Sequence, residues 1–192
     1  MEIAAAILAG GAAARLDGRD KGVVTLASSP LVSHVHEALR NQADSILICA
    51  NRSIAEYAQY GEVIADAVPG FKGPLAGIAA ALAHSKTSWL LTVPVDGPDL
   101  PRDLASRLFE AVAAAKAQAA VAHDGMRRQP LFALYRSDLA QSATQALERD
   151  IAPWRWQDEI GVIEVDFSDQ PQAFVNLNTL DDFRAWERRH GV

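Results

Sequence analysis

Short apolar runs with the length of a β-strand alternate with amphipathic helical patterns along the chain. Strands are predicted at residues 2–8, 44–50 and 89–95, and each is followed by a helical pattern. Runs that are apolar on both faces belong in a parallel sheet covered by helices on both sides. The pattern therefore predicts an α/β fold, a three-layer sandwich with a mostly parallel, Rossmann-like sheet.

The same patterns predict the remaining elements and the place of a binding site. Ligands bind such sheets beyond the carboxyl ends of the strands, so the loops after residues 8, 50, 65 and 95 are expected to form the site. Further strands are predicted at residues 62–65, 119–123, 131–135 and 162–166, and helices at residues 30–41, 53–59, 74–84, 102–118, 137–148 and 180–190.

The composition limits the partners and the location that can be expected for the protein. The length of 192 residues suits a single domain, and a formal net charge of −6 argues against nucleic acid as a partner. The single cysteine, Cys49, cannot form an intramolecular disulfide. The apolar start of the chain carries Glu2 and is too short to cross a bilayer, so no membrane contact and a cytoplasmic location are predicted.

A glycine-rich segment, LAGGAAARLDGRDKG, occupies residues 8–22 after the first predicted strand. Gly10 and Gly11 permit a tight turn whose backbone N–H groups can surround phosphate oxygens. Arg15 and Lys21 supply the positive charge that a triphosphate needs. The common phosphate-binding patterns GxxxxGK[ST] and GxGxxG do not fit this spacing. The alternative is a surface turn with solvated charges.

An aspartate follows the strongest buried strand, in the segment WLLTVPVDGPDLP at residues 89–101. Mg²⁺ prefers carboxylate oxygens and needs only one or two of them from the protein. Asp96 is therefore predicted to bind Mg²⁺, the expected cofactor. Asp99 is the alternative ligand, although its position between Pro98 and Leu100 fits a turn before a helix.

Both segments resemble signatures of the nucleotidyltransferases that activate sugars and cofactors. The loop resembles the pattern L-A-G-G-x-x-x-R-[LM]-x-G-x-D-K, and its D-K-G ending is most similar to that of the molybdenum cofactor guanylyltransferases. The resemblance covers nearly the whole chain. It implies one domain of the nucleotide-diphospho-sugar transferase type over residues 1–192, with residues 1–100 mainly binding the nucleotide and residues 101–192 mainly forming the acceptor side.

The resemblance assigns roles to the loop. It implies that Arg15, Lys21 and Asp96 are the catalytic residues, with Arg15 and Lys21 holding the phosphates. It also implies that the nucleotide contacts Leu8, Ala9, Gly10 and Gly11.

Two further segments resemble nucleotide contacts of the family. The segment CANR at residues 49–52 departs from the pattern N-x-N-R at Cys49, which is predicted to be a small buried residue, so Asn51 is the expected contact. Asp66 matches a nucleotide-contacting aspartate, and a carboxylate can accept both N–H donors of a guanine edge. A solvated aspartate at a strand end is the alternative for Asp66. The match to GPLAG implies that the pocket near the base and ribose is shaped by Pro74, Leu75 and Gly77, and an ordinary turn before a helix is the alternative.

The acceptor side resembles the family more loosely. In the segment HDGMRRQPL, residues 123–131, Arg127 and Arg128 are candidates for binding the acceptor phosphate, and a solvated hairpin tip is the alternative. The segment FVNLNT, residues 174–179, resembles an N-x-N-T segment near the active site of relatives. Asn176 and Asn178 alternate and are predicted to share one face of a strand, where they contact the acceptor or help to hold the metal.

The implied reaction joins GMP from GTP to the phosphate of molybdopterin and releases pyrophosphate. GTP and molybdopterin are thus the expected partners, and contact with molybdenum-enzyme chaperones or apo-enzymes stays open. A cytidylyltransferase or a sugar-phosphate nucleotidyltransferase of the same fold is the alternative enzyme. A non-catalytic carrier of the nucleotide or cofactor is the alternative from a different class of protein.

Overall fold

The fold is known from a computed structural model that describes residues 2–10, 15–16, 19–65 and 73–192. Its strands are β1 (Ile3–Leu8), β2 (Arg15–Leu16), β3 (Arg19–Asp20), β4 (Thr25–Leu26), β5 (Ser29–Pro30), β6 (Ser45–Cys49), β7 (Glu62–Ile64), β8 (Trp89–Pro94), β9 (Ala119–His123), β10 (Arg128–Arg136) and β11 (Ile163–Asp166). Its helices are α1 (Leu31–Leu39), α2 (Ile54–Tyr57), α3 (Pro74–His84), α4 (Leu104–Ala115), α5 (Ala140–Glu148), α6 (Pro153–Glu159) and α7 (Leu180–His190). Short 3₁₀ turns lie at Lys21–Val23, Ser137–Leu139 and Pro171–Phe174.

The central sheet has seven strands in the order β11-β9-β10-β8-β1-β6-β7. Strand β10 is antiparallel to β8 and β9, and the other pairs are parallel. Leu8 is in register with both Cys49 and Pro94, so β1, β6 and β8 end together at what we call the carboxyl edge. Because β10 runs in the opposite direction, its first residues also lie at this edge.

Helices cover both faces of the sheet, as the apolar strands require. One face packs against α1 and α4 through Val35 and Leu108, and the other packs against α3 and α6 through Ile78 and Trp156. Strand β1 is buried along its whole length between the two layers. The predicted three-layer sandwich with a mostly parallel sheet is therefore confirmed.

A third, smaller cluster attaches the last helix to the region after the glycine-rich loop. It consists of Leu26, Leu31, Leu177, Phe183 and Trp186. The backbone N–H of Ala27 also donates to Glu187 at 3.2 Å. This packing brings the C-terminal segment back to the start of the chain.

Three sequence predictions need correction. Helix α6 was not predicted, because its seven residues are too short for an amphipathic repeat to stand out. Strand β10 begins at Arg128 instead of residue 131, because a bulge between Gln129 and Ala133 accommodates Pro130. Residues 175–178 belong to no strand, so Asn176 and Asn178 do not share a strand face.

No helix in the described ranges combines the length and the apolar character that crossing a membrane requires.

Candidate active site

The first half of the candidate site is a buried lysine held by two partners from distant parts of the chain. The amine of Lys21 donates to Asp96 Oδ2 at 3.1 Å and to Asn178 Oδ1 at 2.8 Å. The lysine is only 2% exposed, whereas the side chain of Asp96 is 20% exposed. A buried ammonium is stable only when paired, and these contacts pair it. The structure thus brings three of the predicted residues together.

The Lys21 turn is fixed from below by Asp20 and Tyr57. Asp20 Oδ1 accepts from the backbone N–H of Gly22 at 3.2 Å and from the hydroxyl of Tyr57 at 2.6 Å. Burial, together with the bond to Asp20, raises the pKa of Tyr57, so its hydroxyl stays protonated and acts as the donor. The carboxylate of Asp20 is therefore directed to the turn and to Tyr57.

Gly22 allows the turn to approach the core closely. A Cβ atom at this position would overlap the hydroxyl of Tyr57 and lie 2.9 Å from Cγ2 of Val95. Val95 immediately precedes Asp96, so the absence of a side chain at Gly22 lets the lysine turn sit directly against the end of β8. This contact explains in physical terms why a glycine follows the lysine.

The start of α7 positions Asn178. Thr179 is the N-cap residue, and its side chain accepts from the backbone N–H of Asp182, while Asp182 Oδ2 accepts from the backbone N–H groups of Asn178 and Thr179 at 2.8 Å each. The backbone N–H of Leu177 donates to the carbonyl of Asp96 at 2.8 Å. Asn178 is thus anchored both to a capping box and to the strand end that carries Asp96.

The nucleotide side of the edge contains a narrow cleft between β1, β6 and the start of α3. Leu75 and Ala9 are buried in the core on either side of it, so any contact they make with a nucleotide comes from their backbone. The segment at Gly77 fits closely, since a Cβ atom there would lie 3.2 Å from Leu8 and 3.3 Å from Cys49. The cleft is lined by Leu8, Gly10, Cys49, Gly73, Pro74 and Gly77.

Cys49 is buried at 1% exposure, and its thiol donates to the carbonyl of Gly77 at 3.3 Å. The prediction of a small buried residue at this position is confirmed. Asn51 lies exposed in the loop between β6 and α2, on the same edge. The predicted contacts of Gly11, Asp66 and the Arg15 side chain lie outside the described residues and stay predictions.

The predicted acceptor side lies beyond Pro94, across β8 from the narrow cleft. A cavity of about 250 Å³ there is lined by Pro94, Arg127, Arg128, Gln129, Pro130, Leu131, Phe132 and Asn176. Asn176 Oδ1 is buried and has no hydrogen-bond partner in the described part of the chain. The predicted acceptor residues Arg127, Arg128 and Asn176 therefore line one cavity, whereas Asn178 belongs to the lysine cluster.

Arg127 and Arg128 differ in how their charges are used. The guanidinium of Arg128 donates to Asp158 at 2.5 Å and to Glu164 at 2.7 and 2.9 Å. Burial lowers the pKa of Arg128, but the bonds to both carboxylates raise it overall. Arg127 is exposed at the hairpin tip, where its backbone N–H donates to Asp124. Its charge is the better placed of the two to meet an anion.

Asp99 serves the packing of α7. Its Oδ1 accepts from the indole N–H of Trp186 at 2.8 Å and lies 3.2 Å from Nε2 of His190. Asp99 is thus engaged with α7, and the preference for Asp96 over Asp99 as the metal ligand stays a prediction. No cluster of three or more potential metal-binding side chains occurs in the residues that the structure describes.

Sequence reasoning missed Tyr57 and Gly22 as parts of the site. A tyrosine in a short amphipathic helix has the pattern of an ordinary core residue, and only its contact with Asp20 shows otherwise. The glycine after Lys21 was visible in the sequence, but its steric role depends on the neighbours that the fold supplies.

Comparison with known proteins agrees with this geometry. A family model described as "MobA-like NTP transferase domain" matches residues 5–161. The chain is 45% identical to a molybdenum cofactor guanylyltransferase of Shewanella sp. (strain MR-4), over 93% of this chain and 92% of the relative. It is 43% identical to the enzyme of that name from Vibrio parahaemolyticus, over 92% and 90%.

A solved structure shares the fold throughout. Molybdopterin-guanine dinucleotide biosynthesis protein A from Archaeoglobus fulgidus superposes with a TM-score of 0.80 at 22% identity, covering 100% of this chain and 99% of that one. The fold and the lysine–aspartate edge therefore define a nucleotidyltransferase. Within that class, the chain belongs to the family of molybdenum cofactor guanylyltransferases.

Proposed function

We propose that the protein transfers GMP from GTP to the phosphate of molybdopterin in the presence of Mg²⁺. An oxygen of the acceptor phosphate attacks the α-phosphorus of GTP. The bond from that phosphorus to the bridging oxygen breaks, and pyrophosphate leaves with the electron pair. The products are the guanine dinucleotide form of the cofactor and pyrophosphate.

The observation that carries the proposal is the contact of Lys21 with Asp96, which follows the end of β8. One cavity reaches this edge at Leu8 of β1 and another at Pro94 of β8, so we take the pair to lie where a nucleotide and an acceptor meet. Catalysis by such a site consists of positioning and charge neutralisation. A phosphate monoester is already largely anionic near neutral pH, so the acceptor needs no strong base.

The donor set at Asp96 fits a magnesium ion that arrives with the triphosphate. Mg²⁺ is commonly held by one or two carboxylates, water and substrate phosphates, and Asp96 supplies one carboxylate. When bound, the ion would supply a positive charge between phosphate oxygens. Lys21 contributes an ammonium group that can turn from Asp96 to the phosphates, and Asn178 supports it on the other side.

The acceptor cavity supports the proposal with an exposed positive charge and a buried acceptor atom that has no hydrogen-bond partner among the described residues. Arg127 stands at its rim, where it can meet the phosphate of the acceptor. The buried Oδ1 of Asn176 is ready to accept a hydrogen bond from an N–H group, and pterins carry several. Asn176 and Arg127 are therefore the acceptor residues we propose, with Arg128 supporting the hairpin through its two carboxylate partners.

The test is pyrophosphate release from GTP, CTP, ATP and UTP, each with Mg²⁺ and molybdopterin. We expect release with GTP alone and its loss when a chelator removes the metal. Release with CTP would keep the reaction class and overturn the choice of base. Tight binding of the guanine dinucleotide cofactor without turnover of any nucleotide would identify a carrier instead.

A further inference from the structure

A buried tyrosine lies directly below the lysine turn and has no role in the reaction as proposed. Tyr57 is the last residue of α2, and it is fully buried. Its hydroxyl donates to Asp20 Oδ1 at 2.6 Å, a short bond to a charged acceptor. Charge-assisted bonds of this kind are stronger than neutral ones. The residue therefore holds Asp20 firmly, although it does not reach the edge itself.

The tyrosine and the turn are in contact at two points. Asp20 Oδ1 receives the hydroxyl of Tyr57 and the backbone N–H of Gly22, so one oxygen joins the core to the residue after Lys21. The Cα of Gly22 also rests against the hydroxyl, because a Cβ atom there would collide with it. The residues on both sides of Lys21, Asp20 and Gly22, thus both contact the hydroxyl oxygen of Tyr57.

We propose that Tyr57 is a positioning residue that acts through Lys21. Its hydroxyl keeps the carboxylate of Asp20 in the capping position, where the carboxylate holds the backbone N–H of Gly22 and so fixes the turn that carries Lys21. The lysine is then presented to the triphosphate in one conformation. This inference rests on the proposed role of Lys21 in holding the triphosphate.

A short segment of chain that includes α2 joins Tyr57 to Asn51, the expected contact with the nucleotide. The segment from Asn51 to Tyr57 begins at the nucleotide side of the edge and ends below the lysine turn. Ser53, between them, has a φ of 49°, a left-handed conformation that an L-residue adopts only at some cost. One short segment therefore connects the expected contact with the nucleoside to the group that holds the phosphates.

The experiment measures the Kd of GTP with Mg²⁺ by titration calorimetry for wild type and Tyr57→Phe. The variant keeps the ring and removes the oxygen. We expect the Kd to rise about tenfold, because a bond to a charged group is worth that order of affinity. The matched control is Tyr135→Phe, since Tyr135 is equally buried and its hydroxyl accepts a hydrogen bond from Gln157, away from the lysine turn. That control should lose thermal stability while its Kd for GTP is unchanged.

A double-mutant cycle separates positioning from simple destabilisation. In a Lys21→Ala background, Tyr57→Phe should change the Kd by less than about twofold, because the effects of two residues that act through one contact do not add, whereas independent effects do. A tenfold effect in that background would overturn the inference, because Tyr57 would then act without Lys21. A wild-type Kd for Tyr57→Phe in the normal background would overturn it as well.

A second variant keeps the test valid should Tyr57→Phe fail to fold. Asp20→Ala removes the same bond from the half-exposed side of the turn, and Asp20→Asn retains an acceptor oxygen. We expect the alanine variant to show the raised Kd and the asparagine variant to recover most of the affinity. Equal affinity for both would overturn the inference.

These binding measurements also separate the two proposals. Wild-type protein that binds GTP but releases no pyrophosphate would refute the proposed reaction and leave the role of Tyr57 to the Kd values. Wild-type protein without saturable GTP binding would overturn both.

Discussion

The side-chain oxygen of Asn178 accepts a hydrogen bond of 2.8 Å from the amine of Lys21, although 157 residues separate them. Lys21 begins a 3₁₀ turn near the start of the chain, and Asn178 precedes the last helix. Their contact turns a flexible side chain into a fixed positive charge at the carboxyl edge. It therefore makes the C-terminal segment part of the site.

Replacing Asn178 with alanine is expected to lower kcat/KM for GTP about tenfold, since one hydrogen bond to a charged group is lost. Thermal stability should change little, because Asn178 is exposed and its backbone N–H still bonds Asp182. Initial rates of pyrophosphate release and the melting temperature are the measurements. Asn41→Ala, an exposed asparagine after α1, is the control and should retain the wild-type rate.

Asp96 and Asp99 are expected to respond in opposite ways to substitution. Asp96→Asn removes the charge offered to the metal and should reduce turnover about a hundredfold or more, because such charge stabilisation is worth several kcal/mol. Asp99→Ala should keep turnover and lose about 1–3 kcal/mol of stability, since the indole N–H of Trp186 loses its partner. Turnover at saturating Mg²⁺ and urea unfolding measure the two effects. Full activity of Asp96→Asn would refute its role.

Gly22→Ala should disturb the site through its neighbours. The added methyl group meets Val95 at 2.9 Å and the hydroxyl of Tyr57, so the lysine turn must shift, at a cost of about 1–3 kcal/mol. Activity should fall with it. Gly161→Ala is the control for stability alone, because Gly161 has a φ of 66° and nothing within 4 Å of the added atom. It should lose about 1 kcal/mol and keep its rate.

The capping box of α7 should make part of the stability depend on pH. Backbone N–H groups of Asn178 and Thr179 hold the pKa of Asp182 below its ordinary 3.8. A lowered pKa adds stability above the ordinary value, and this stability is lost as the pH falls through the folded-state pKa.

Asp182→Asn should therefore melt at a lower temperature than wild type at neutral pH, by an amount equivalent to about 1 kcal/mol or less at this exposed site. The difference should shrink once the pH falls below 3.8. Melting curves from pH 7 to pH 3 provide the comparison. Asp181→Asn, whose carboxylate meets only Arg184 on the helix surface, should show a smaller difference at every pH. A constant gap for Asp182→Asn would contradict the assignment.

Cys49→Ala should leave the choice of nucleotide unchanged. The thiol is buried and donates to the carbonyl of Gly77, so its removal should cost about 1 kcal/mol of stability, as many core substitutions do. The ratio of rates with GTP and CTP is the measurement. A shift of that ratio toward CTP would show that the cysteine contributes to base recognition.

The layered fold could be predicted because the central strands β1 and β8 are apolar on both faces and the long helices have a clear repeat. Helices α3 and α7 were predicted with the bounds that the structure shows, since Pro74 starts one and Thr179 caps the other. Helix α6 escaped prediction because it spans only seven residues, and Trp156 is its single fully buried aromatic residue.

The sequence predicted the residues of the site that lie in recognisable motifs, but not the contacts between distant segments. Lys21 and Asp96 lie in recognisable segments after strands, and the topology of a parallel sheet explains why they meet. The bond from Lys21 to Asn178 depends on how α7 packs beside β4 and β5, which no local pattern describes. The ion pair from Arg128 to Asp158 likewise depends on α6, which the sequence pattern did not reveal, whereas Glu164 lies in the predicted strand β11.

The bond between Lys21 and Asn178 can form only late in protein synthesis, because it joins residues 157 positions apart in the chain. Chains emerge from the ribosome with the N-terminal part first, and domains generally fold as units. The glycine-rich loop, β1 and β8 leave the ribosome long before residue 178 is translated. A nascent chain thus carries its lysine without one of its two holding partners until the last helix begins to appear. Full nucleotide chemistry is therefore expected only after the last helix has formed.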